Sequence, residues 1–558
     1  MIRLKKMMAL VIAMVMVICT MSMGTVFGAG DLTPDATITI TGLDVNDTVH
    51  LYQVLTWTDG AGWTINPNYA TLTTDGNTNF VQHVKDIVDN KKVELDKADL
   101  DKIAKVVKQN NPVEEKKITE TPYVYNTVQA PGMYMALVTP GTAGVVYNPI
   151  IVSADFSATP NTSEIDASTA FMGTNGSVAK KEKVPVDKKS MDPADVEKKP
   201  KGTHNVGDIV KFEVTTKIPA YSDAYEAPSF KVIDTLSEGL EMVVDEDEHP
   251  FTVTCTVTGD SNNVAPKTGD KGFTYAFDSD GIAALVDYAD VTITYYAKIT
   301  HAAISNVNEE DNTIEVEFSN NPDDDDDKGK IKDKTKHYTF TIDGTLFGDS
   351  EYTTAEIVKV GLDGDGNPVE SMVTASNGSS HSALDGAVFG LYTDEDEAKA
   401  ASTNYYTNDV FQGTVETKNG GLMNIAGLDV GTYYLVELTA PKGFIKDTAV
   451  HTIVIDAVIE DEPVTETIDG IEVSYKVPVL KSYTITVDGA ESAYTMTLDG
   501  PSISSVTPGD STSEIVNTKG VELPATGGMG TTIFYAIGTI LVLGAGVLLV
   551  TRRRMNME

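Results

Sequence analysis

Short runs in which apolar and polar residues alternate recur along most of the chain, among them FKVIDTL, DVTITYYAKI, NTIEVEFSN, GTYYLVELTA, HTIVIDAV and SYTITVDG. Alternation with period two puts one set of side chains against a core and the other in water. The runs are rich in Val, Ile, Thr and Tyr and are separated by Gly, Asp, Asn and Pro, so they predict β-strands joined by turns. Turn signals recurring through the chain predict a mainly β protein built of sandwiches. One region breaks the pattern. Between about Thr78 and Gln109 apolar residues return at helical spacing, at Phe80, Val84, Ile87 and Val88 and again at Ile103, Val106 and Val107. This spacing predicts two short helices inserted into a first β region.

Two continuous apolar stretches stand at the ends. Arg3, Lys5 and Lys6 precede the first, and the small residues Gly28 and Ala29 follow it, so residues 1–29 read as a secretory signal peptide. The second, TTIFYAIGTILVLGAGVLLV over residues 531–550, is uncharged and long enough to span a bilayer as a helix. Arg552, Arg553 and Arg554 behind it form a basic flank of the kind that stays cytoplasmic, which places the bulk of the chain outside. A chain of 558 residues exceeds what one core organises. The expected order is a β domain over 30–176 carrying the helices, a second domain over 177–345 opened by the Lys-rich passage NGSVAKKEKVPVDKKSMDPADVEKKPKG, a third over 346–519, and a C-terminal region over 520–558.

Charge and rare residues narrow the function. A net charge of −40 repels nucleic acid and anionic lipid. Cys19 falls in the signal and leaves Cys255 alone, so no disulfide within the mature chain is expected and any covalent reinforcement must come from other chemistry. The histidines are scattered without zinc spacing. NPDDDDDKGK reads as a solvated turn. GLDGDGNP sets Asp363, Asp365 and Asn367 at a calcium-loop spacing, but Thr374 occupies the twelfth position where a bidentate acid is needed, so a hairpin turn explains it better. Phosphate loops and Ser-His-Asp hydrolase signatures do not occur in the sequence. The expectation is a non-enzymatic protein with no cofactor and no metal site.

Candidate chemistry comes from strand faces. Side chains two apart on a strand point the same way. Ala355, Ile357 and Lys359 therefore share a face, as do Tyr433, Leu435 and Glu437, and Ile515 and Asn517. A second set repeats the logic: Val184, Val186 and Lys188; Phe230, Val232 and Asp234; Ile314, Val316, Phe318 and Asn320. Parity favours Lys188 over Lys189 and Asn320 over Asn321. Polar groups on apolar faces are costly alone and reasonable if they meet. Burial favours a neutral amine and a neutral acid, which prepares a lysine to attack an asparagine carboxamide.

A family resemblance selects this chemistry, which the strand pattern alone does not. GTYYLVELTAPKGF resembles the YxLxETxAPxGY box of CnaB-type pilin domains: Glu437, Ala440, Pro441 and Gly443 are in place, while Leu438 and Phe444 replace Thr and Tyr. ALDGAVFGLY is similar to the LxGAxFxLY strand of that family. KVPVDKKS, SFKVIDTLSEGL and EFSNNP resemble the VDKKV, HDTLSKGL and YSNNP motifs of major-pilin middle domains. The resemblance implies a Lys359–Asn517 isopeptide bond promoted by Glu437 and a Lys188–Asn320 bond assisted by Asp234. In the first domain the sequence offers no comparable triplet, and no internal bond is expected there.

The C-terminus resembles a sortase sorting signal, with Leu523, Pro524, Ala525, Thr526 and Gly527 as LPxTG, then the apolar span and the Arg tail. A sortase would cleave after Thr526 and pass it to an amine. Where major pilins carry a YPK motif, this chain reads SVAKKEKVPVDKK. Val178 is kept, Ala179 and Lys180 stand for Tyr and Pro, and Lys181 takes the lysine position, with Lys180 and Lys183 close enough to substitute.

Taken together the chain resembles a sortase-assembled backbone pilin of the SpaA type from Gram-positive bacteria. That implies tandem immunoglobulin-like, CnaA/CnaB-type sandwiches forming a shaft subunit anchored to the cell wall. Implied partners are pilin-type and housekeeping sortases, further copies of the chain, minor pilins, peptidoglycan and host surface ligands. The alternative is a minor pilin or an adhesin attached once to the wall through Thr526.

Overall fold

A computed structural model of the chain describes residues 36–58, 62–69, 73–74, 78–79, 97–127, 132–154, 162–166, 171–173, 176–178, 181–191, 202–304, 309–322, 324, 326–344, 354–375, 377–520 and 529–555. The signal region, Lys180, the LPATG pentapeptide and the first expected helix lie outside the described residues.

The fold is mainly β and multi-domain, as the alternation predicts. In the N-terminal region the strand Ala36–Thr41 lies between Tyr123–Thr127, antiparallel, and Thr162–Asp166, parallel. A second sheet orders Ile150–Ala154, Gly132–Thr139, Thr48–Thr58 and Gly62–Ile65. Ile38, Ile40, Val49, Leu51, Ala136, Val138 and Tyr147 form one buried cluster. The opposite face of the second sheet is covered by the helix Lys97–Val107, the second of the two expected, which contributes Leu100, Ile103, Ala104 and Val107 to a cluster with Tyr52, Val54 and Met135. That spacing is the apolar stripe of a surface helix.

The chain then passes along the edge of this region, because Lys181–Lys183 pairs antiparallel with Val145–Tyr147. In the middle region the strand Val186–Met191 pairs with Ile209–Ile218, which pairs with Ala289–Ile299. The facing sheet orders Gly272–Ala276, Phe230–Leu236, Glu310–Ser319 and Lys328–His337. Between them lie Phe212, Val214, Phe230, Val232, Ile293, Tyr295, Ile314, Val316 and Phe318, all buried.

In the C-terminal region Ile357–Leu362 and Ser513–Thr518 run parallel as a pair, while Val388–Tyr392 and Gly431–Thr439 sit within a seven-stranded sheet. Two strands of that sheet are unusually long, Val450–Ile468 with 19 residues and Ile471–Val487 with 17. Asp469 and Gly470, with φ of 51° and 85°, close the hairpin; positive φ at both turn residues matches the twist of the strands it joins. The distal half of the hairpin packs against the middle-region strand Lys328–His337. Val473, Val477 and Val479 are buried there, and Lys330–Asp469 and Lys332–Glu466 ion pairs bridge the two regions.

The chain ends in the helix Met529–Met555. Its part Ile533–Met555 contains an unburied 18-residue window of mean hydropathy 2.5, a candidate membrane span overlapping the expected 531–550.

Candidate functional site

In the C-terminal region the parallel register sets Gly361 against Asn517, so Lys359 and Asn517 lie side by side on one face. Gly421, at φ 79°, makes the close approach that seats the Lys359 strand, since a Cβ there would stand 2.4 Å from the Lys359 carbonyl. Lys359 Nζ lies 2.5 Å from Asn517 Oδ1 and 3.6 Å from Glu437 Oε1. Asn517 Nδ2 donates to Glu437 Oε1 at 2.8 Å, and the Asp447 N–H donates to Glu437 Oε2 at 2.6 Å. Lys359, Glu437 and Asn517 are each 0% exposed. Burial pushes the Lys359 amine below the ordinary lysine range, against the opposing pull of Glu437 and Asp447. The three residues expected to meet therefore do meet, with an amine moved toward its nucleophilic form beside a carboxamide and a carboxyl.

The middle region holds a second cluster with a different asparagine. Lys188 Nζ donates to Asp234 Oδ2 at 2.5 Å and to Asn312 Oδ1. Tyr295 bridges them, its hydroxyl donating to Asp234 Oδ2 at 2.5 Å and accepting from Asn312 Nδ2 at 2.9 Å. Burial lowers the Lys188 pKa and raises that of Asp234, each opposed by the partner's charge. Both groups therefore lean toward neutrality. Among the described residues Asp234 Oδ1 is buried with no hydrogen-bond partner.

Asn320, the asparagine expected here, stands elsewhere. It lies just past the end of Glu310–Ser319, eight residues beyond Asn312 and roughly 25 Å further along at strand rise. There its carbonyl accepts from Tyr225 and, among the described residues, its Oδ1 has no hydrogen-bond partner. Asn312 and Asn320 have the same parity and both point inward, so the face argument admitted either. Register decides: Asn312 is opposite Leu236, one inward position from Asp234. Tyr295 was also missed, although it continues the inward Val291 and Ile293 of DVTITYYAKI.

Lys181 is not the free amine a linker would give. Its Nζ donates to Asp44 Oδ2 at 2.7 Å and to the Gly42 carbonyl at 3.0 Å, and it lies 5.4 Å from the centre of the Tyr147 ring. Lys183, two residues on, is exposed.

Other groupings fall into structural roles. Asp363 Oδ1 accepts from the Asp365 and Asn367 N–H groups and closes the turn expected after the Lys359 strand. Ser379, His381 and Glu514 form a hydrogen-bonded line at 2.6 and 2.5 Å that the sequence did not announce. The Ser379 and Gly378 N–H groups are spent within the turn, on Asn377 and Ala375, so neither serves as an oxyanion donor and the line ties the hairpin to the Asn517 strand.

The SpaA family, a prealbumin-like fold domain, matches residues 370–468. The Cna-B-like domain of Gram-positive pilin backbone subunit 2 matches 206–322, and the LPXTG cell wall anchor motif matches 515–556. The trypsin-resistant surface T6 protein of Streptococcus pyogenes serotype M6 is 27% identical over 468 residues, which cover 76% of this chain and 79% of the relative. The solved T6 backbone pilin of the same serotype shares the fold, with a TM-score of 0.53 at 18% identity, covering 88% of this chain and 100% of that one.

Proposed function

We propose that the chain, which matches a Gram-positive pilin backbone domain over residues 206–322 and the LPXTG cell wall anchor motif over 515–556, is a backbone pilin: a shaft subunit locked by two self-formed isopeptide bonds, Lys359–Asn517 and Lys188–Asn312. The observation that carries this reading is the complete burial of each lysine side chain, with an asparagine carboxamide in hydrogen-bond reach and a carboxyl oxygen within 3.6 Å.

In each cluster the neutral amine attacks the asparagine Cγ. A C–N bond to lysine forms, the bond to the amide nitrogen breaks, and ammonia leaves. Glu437 hydrogen-bonds the amide nitrogen that departs and is placed to carry a proton from the attacking amine to it. In the middle cluster the relay has one more member: Asp234 accepts from Lys188 Nζ and from the Tyr295 hydroxyl, and that hydroxyl accepts from the Asn312 amide nitrogen that departs. The water-free setting matters because a charged amine has no lone pair to offer. Intact mass of the purified ectodomain tests the reading: it should fall short of the sequence mass by two molecules of ammonia, and a mass equal to the plain sequence would refute it.

Outside the folded domains, a sortase takes Thr526 as a thioester and passes it to a lysine near the start of the middle region, so that subunits join head to tail into an open filament. Pilin-type sortase, other copies of the chain and finally peptidoglycan are the partners in this reading; minor pilins and host ligands are further candidates. The alternative is a single wall-anchored protein attached through Thr526, in which the Lys181–Asp44 contact only ties the strand to its neighbour. A ladder of high-mass species stable in SDS and lost on Lys181→Ala supports the shaft, whereas one wall-linked species supports the alternative.

A further inference from the structure

We propose that Asp44, held in place by Asp47, is the positioning residue that selects Lys181 among its neighbouring lysines as the amine receiving Thr526. This rests on the shaft reading above.

The passage SVAKKEKVPVDKK offers several amines within a few residues. Lys188 is consumed in the buried cluster, and Lys189 pairs with Asp187 in the open, its side chain 60% exposed. Lys181 is gripped by a distant part of the chain instead. Its side chain is 13% exposed, and Asp44 and the Gly42 carbonyl engage two of the three ammonium hydrogens. Its backbone is fixed as well, by strand pairing of Lys181 with Tyr147.

The grip is a built site. Asp47 is 0% exposed. Its Oδ2 accepts from the Asp44 N–H and the Tyr147 hydroxyl, both at 2.7 Å, and its Oδ1 accepts from the Gly141 N–H at 2.8 Å. One buried carboxylate thus orients both the acid that meets the Lys181 amine and the ring over which that amine lies. Gly42, at φ 75°, turns its carbonyl to the same nitrogen. The Asp44 side chain remains 39% exposed, so the amine is held at a surface that an incoming thioester can reach.

The chemistry this serves is acyl transfer. The Lys181 ammonium gives one proton to solvent and becomes the nucleophile. The bond from Nζ to the Thr526 carbonyl carbon forms as the carbon–sulfur bond breaks, and the second proton goes to the departing thiolate. Asp44 and Gly42 hold the remaining N–H bonds, which aims the lone pair outward. Positioning of this kind acts on where and how fast the bond forms.

The test uses the full chain in a Gram-positive cell with its pilin-type sortase, and peptide mapping of the polymer to find the lysine that carries Thr526. In the wild type the junction is expected at Lys181. Asp44→Ala should lower polymer yield about tenfold and spread the junction over Lys180, Lys181 and Lys183, while both internal bonds still form by intact mass. Asp44→Glu should return the junction to Lys181, which a merely structural role would not require. An Asp44→Ala polymer joined only at Lys181 with unchanged yield would overturn the selection. A wild-type polymer joined at a lysine other than Lys181 would overturn this inference and leave the shaft reading standing, whereas no polymer at all would remove the shaft reading and this inference with it.

Discussion

At the scale of single residues, the choice between Asn312 and Asn320 is the sharpest test of the middle cluster. Asn312→Ala should restore one ammonia to the ectodomain mass and Asn320→Ala should restore none; equal behaviour of the two variants would sink the assignment. Tyr295→Phe keeps the ring and removes the hydroxyl that touches both Asp234 and Asn312. Loss of one such buried hydrogen bond costs about 1–2 kcal/mol, so bond formation after refolding should slow by roughly tenfold while the wild-type mass is still reached. The pH dependence follows from the same groups. Lys188 is lowered and Asp234 raised by burial. The rate should climb with pH only until Lys188 is neutral, below the ordinary lysine value, and decline once Asp234 loses its proton. Mass spectrometry of samples refolded across pH 4–10 would read this as a bell, and a rate still rising at pH 10 would contradict it. Glu437, Lys359, Asn517, Lys188 and Asp234 were legible in sequence because each breaks an apolar face at an inward position. Asn312 was not, because period two gives the face and leaves the position along the strand open.

At the scale of elements, two features connect neighbouring strands and regions. His337, on Lys328–His337, is buried against His204, at 2.9 Å between ring nitrogens, and its pKa is driven well below the ordinary value by burial and then by the nearby His204 and Lys188 charges. A histidine that stays neutral when folded and protonates when unfolded contributes stability that is present above about pH 6.5 and lost as pH falls below it, by about 1.4 kcal/mol per unit. In a Lys188→Ala background, where no middle cross-link masks unfolding, denaturant midpoints should therefore drop between pH 6.5 and 5. An unchanged midpoint would show that His337 takes up its proton in the folded state. The long hairpin is the second feature. Val477 and Val479 are each 0% exposed along its distal half. Replacing both by Ala gives up part of the roughly 1.5–3 kcal/mol that burying each valine supplies, and trypsin should then cut at Lys476 or Lys481 in an otherwise folded chain. The ion pairs beside them are partly exposed and add little. Alternation marked only the parts of these strands away from the tip, HTIVIDAV and SYTITVDG, and the Asp-Gly pair at 469–470 is the signal that could have marked the hairpin tip. That the hairpin crosses to another region was not legible, since its partner strand is more than 100 residues earlier in sequence.

At the scale of the whole molecule, the two proposed bonds govern how force passes from Lys181 to Thr526. The Lys359–Asn517 bond closes a loop with a separation of 158 residues and the Lys188–Asn312 bond one of 124. Load applied between neighbouring subunits crosses both bonds, and those loops cannot extend. Glu437→Ala should leave the C-terminal bond unmade, and pulling the chain between residues 181 and 526 should then show an added extension on the order of 500 Å, at about 3.3–3.6 Å per residue. Wild-type protein should lack that step. The same variant should be cut by trypsin within residues 357–518 faster than the wild type, read by gel after timed digestion.

The sequence by itself determined the β character, the second helix, the apolar C-terminal helix and the residue types that carry the chemistry. Each is written in local periodicity or in a contiguous run, and burial follows from hydrophobicity without knowledge of partners. Only the tertiary structure decided which asparagine meets Lys188, that Tyr295 joins the cluster, that a hairpin from one region braces another, and that Asp44 reaches Lys181 across 137 residues. Those outcomes depend on strand register and on long-range pairing, which alternation leaves degenerate because every second residue satisfies the same face.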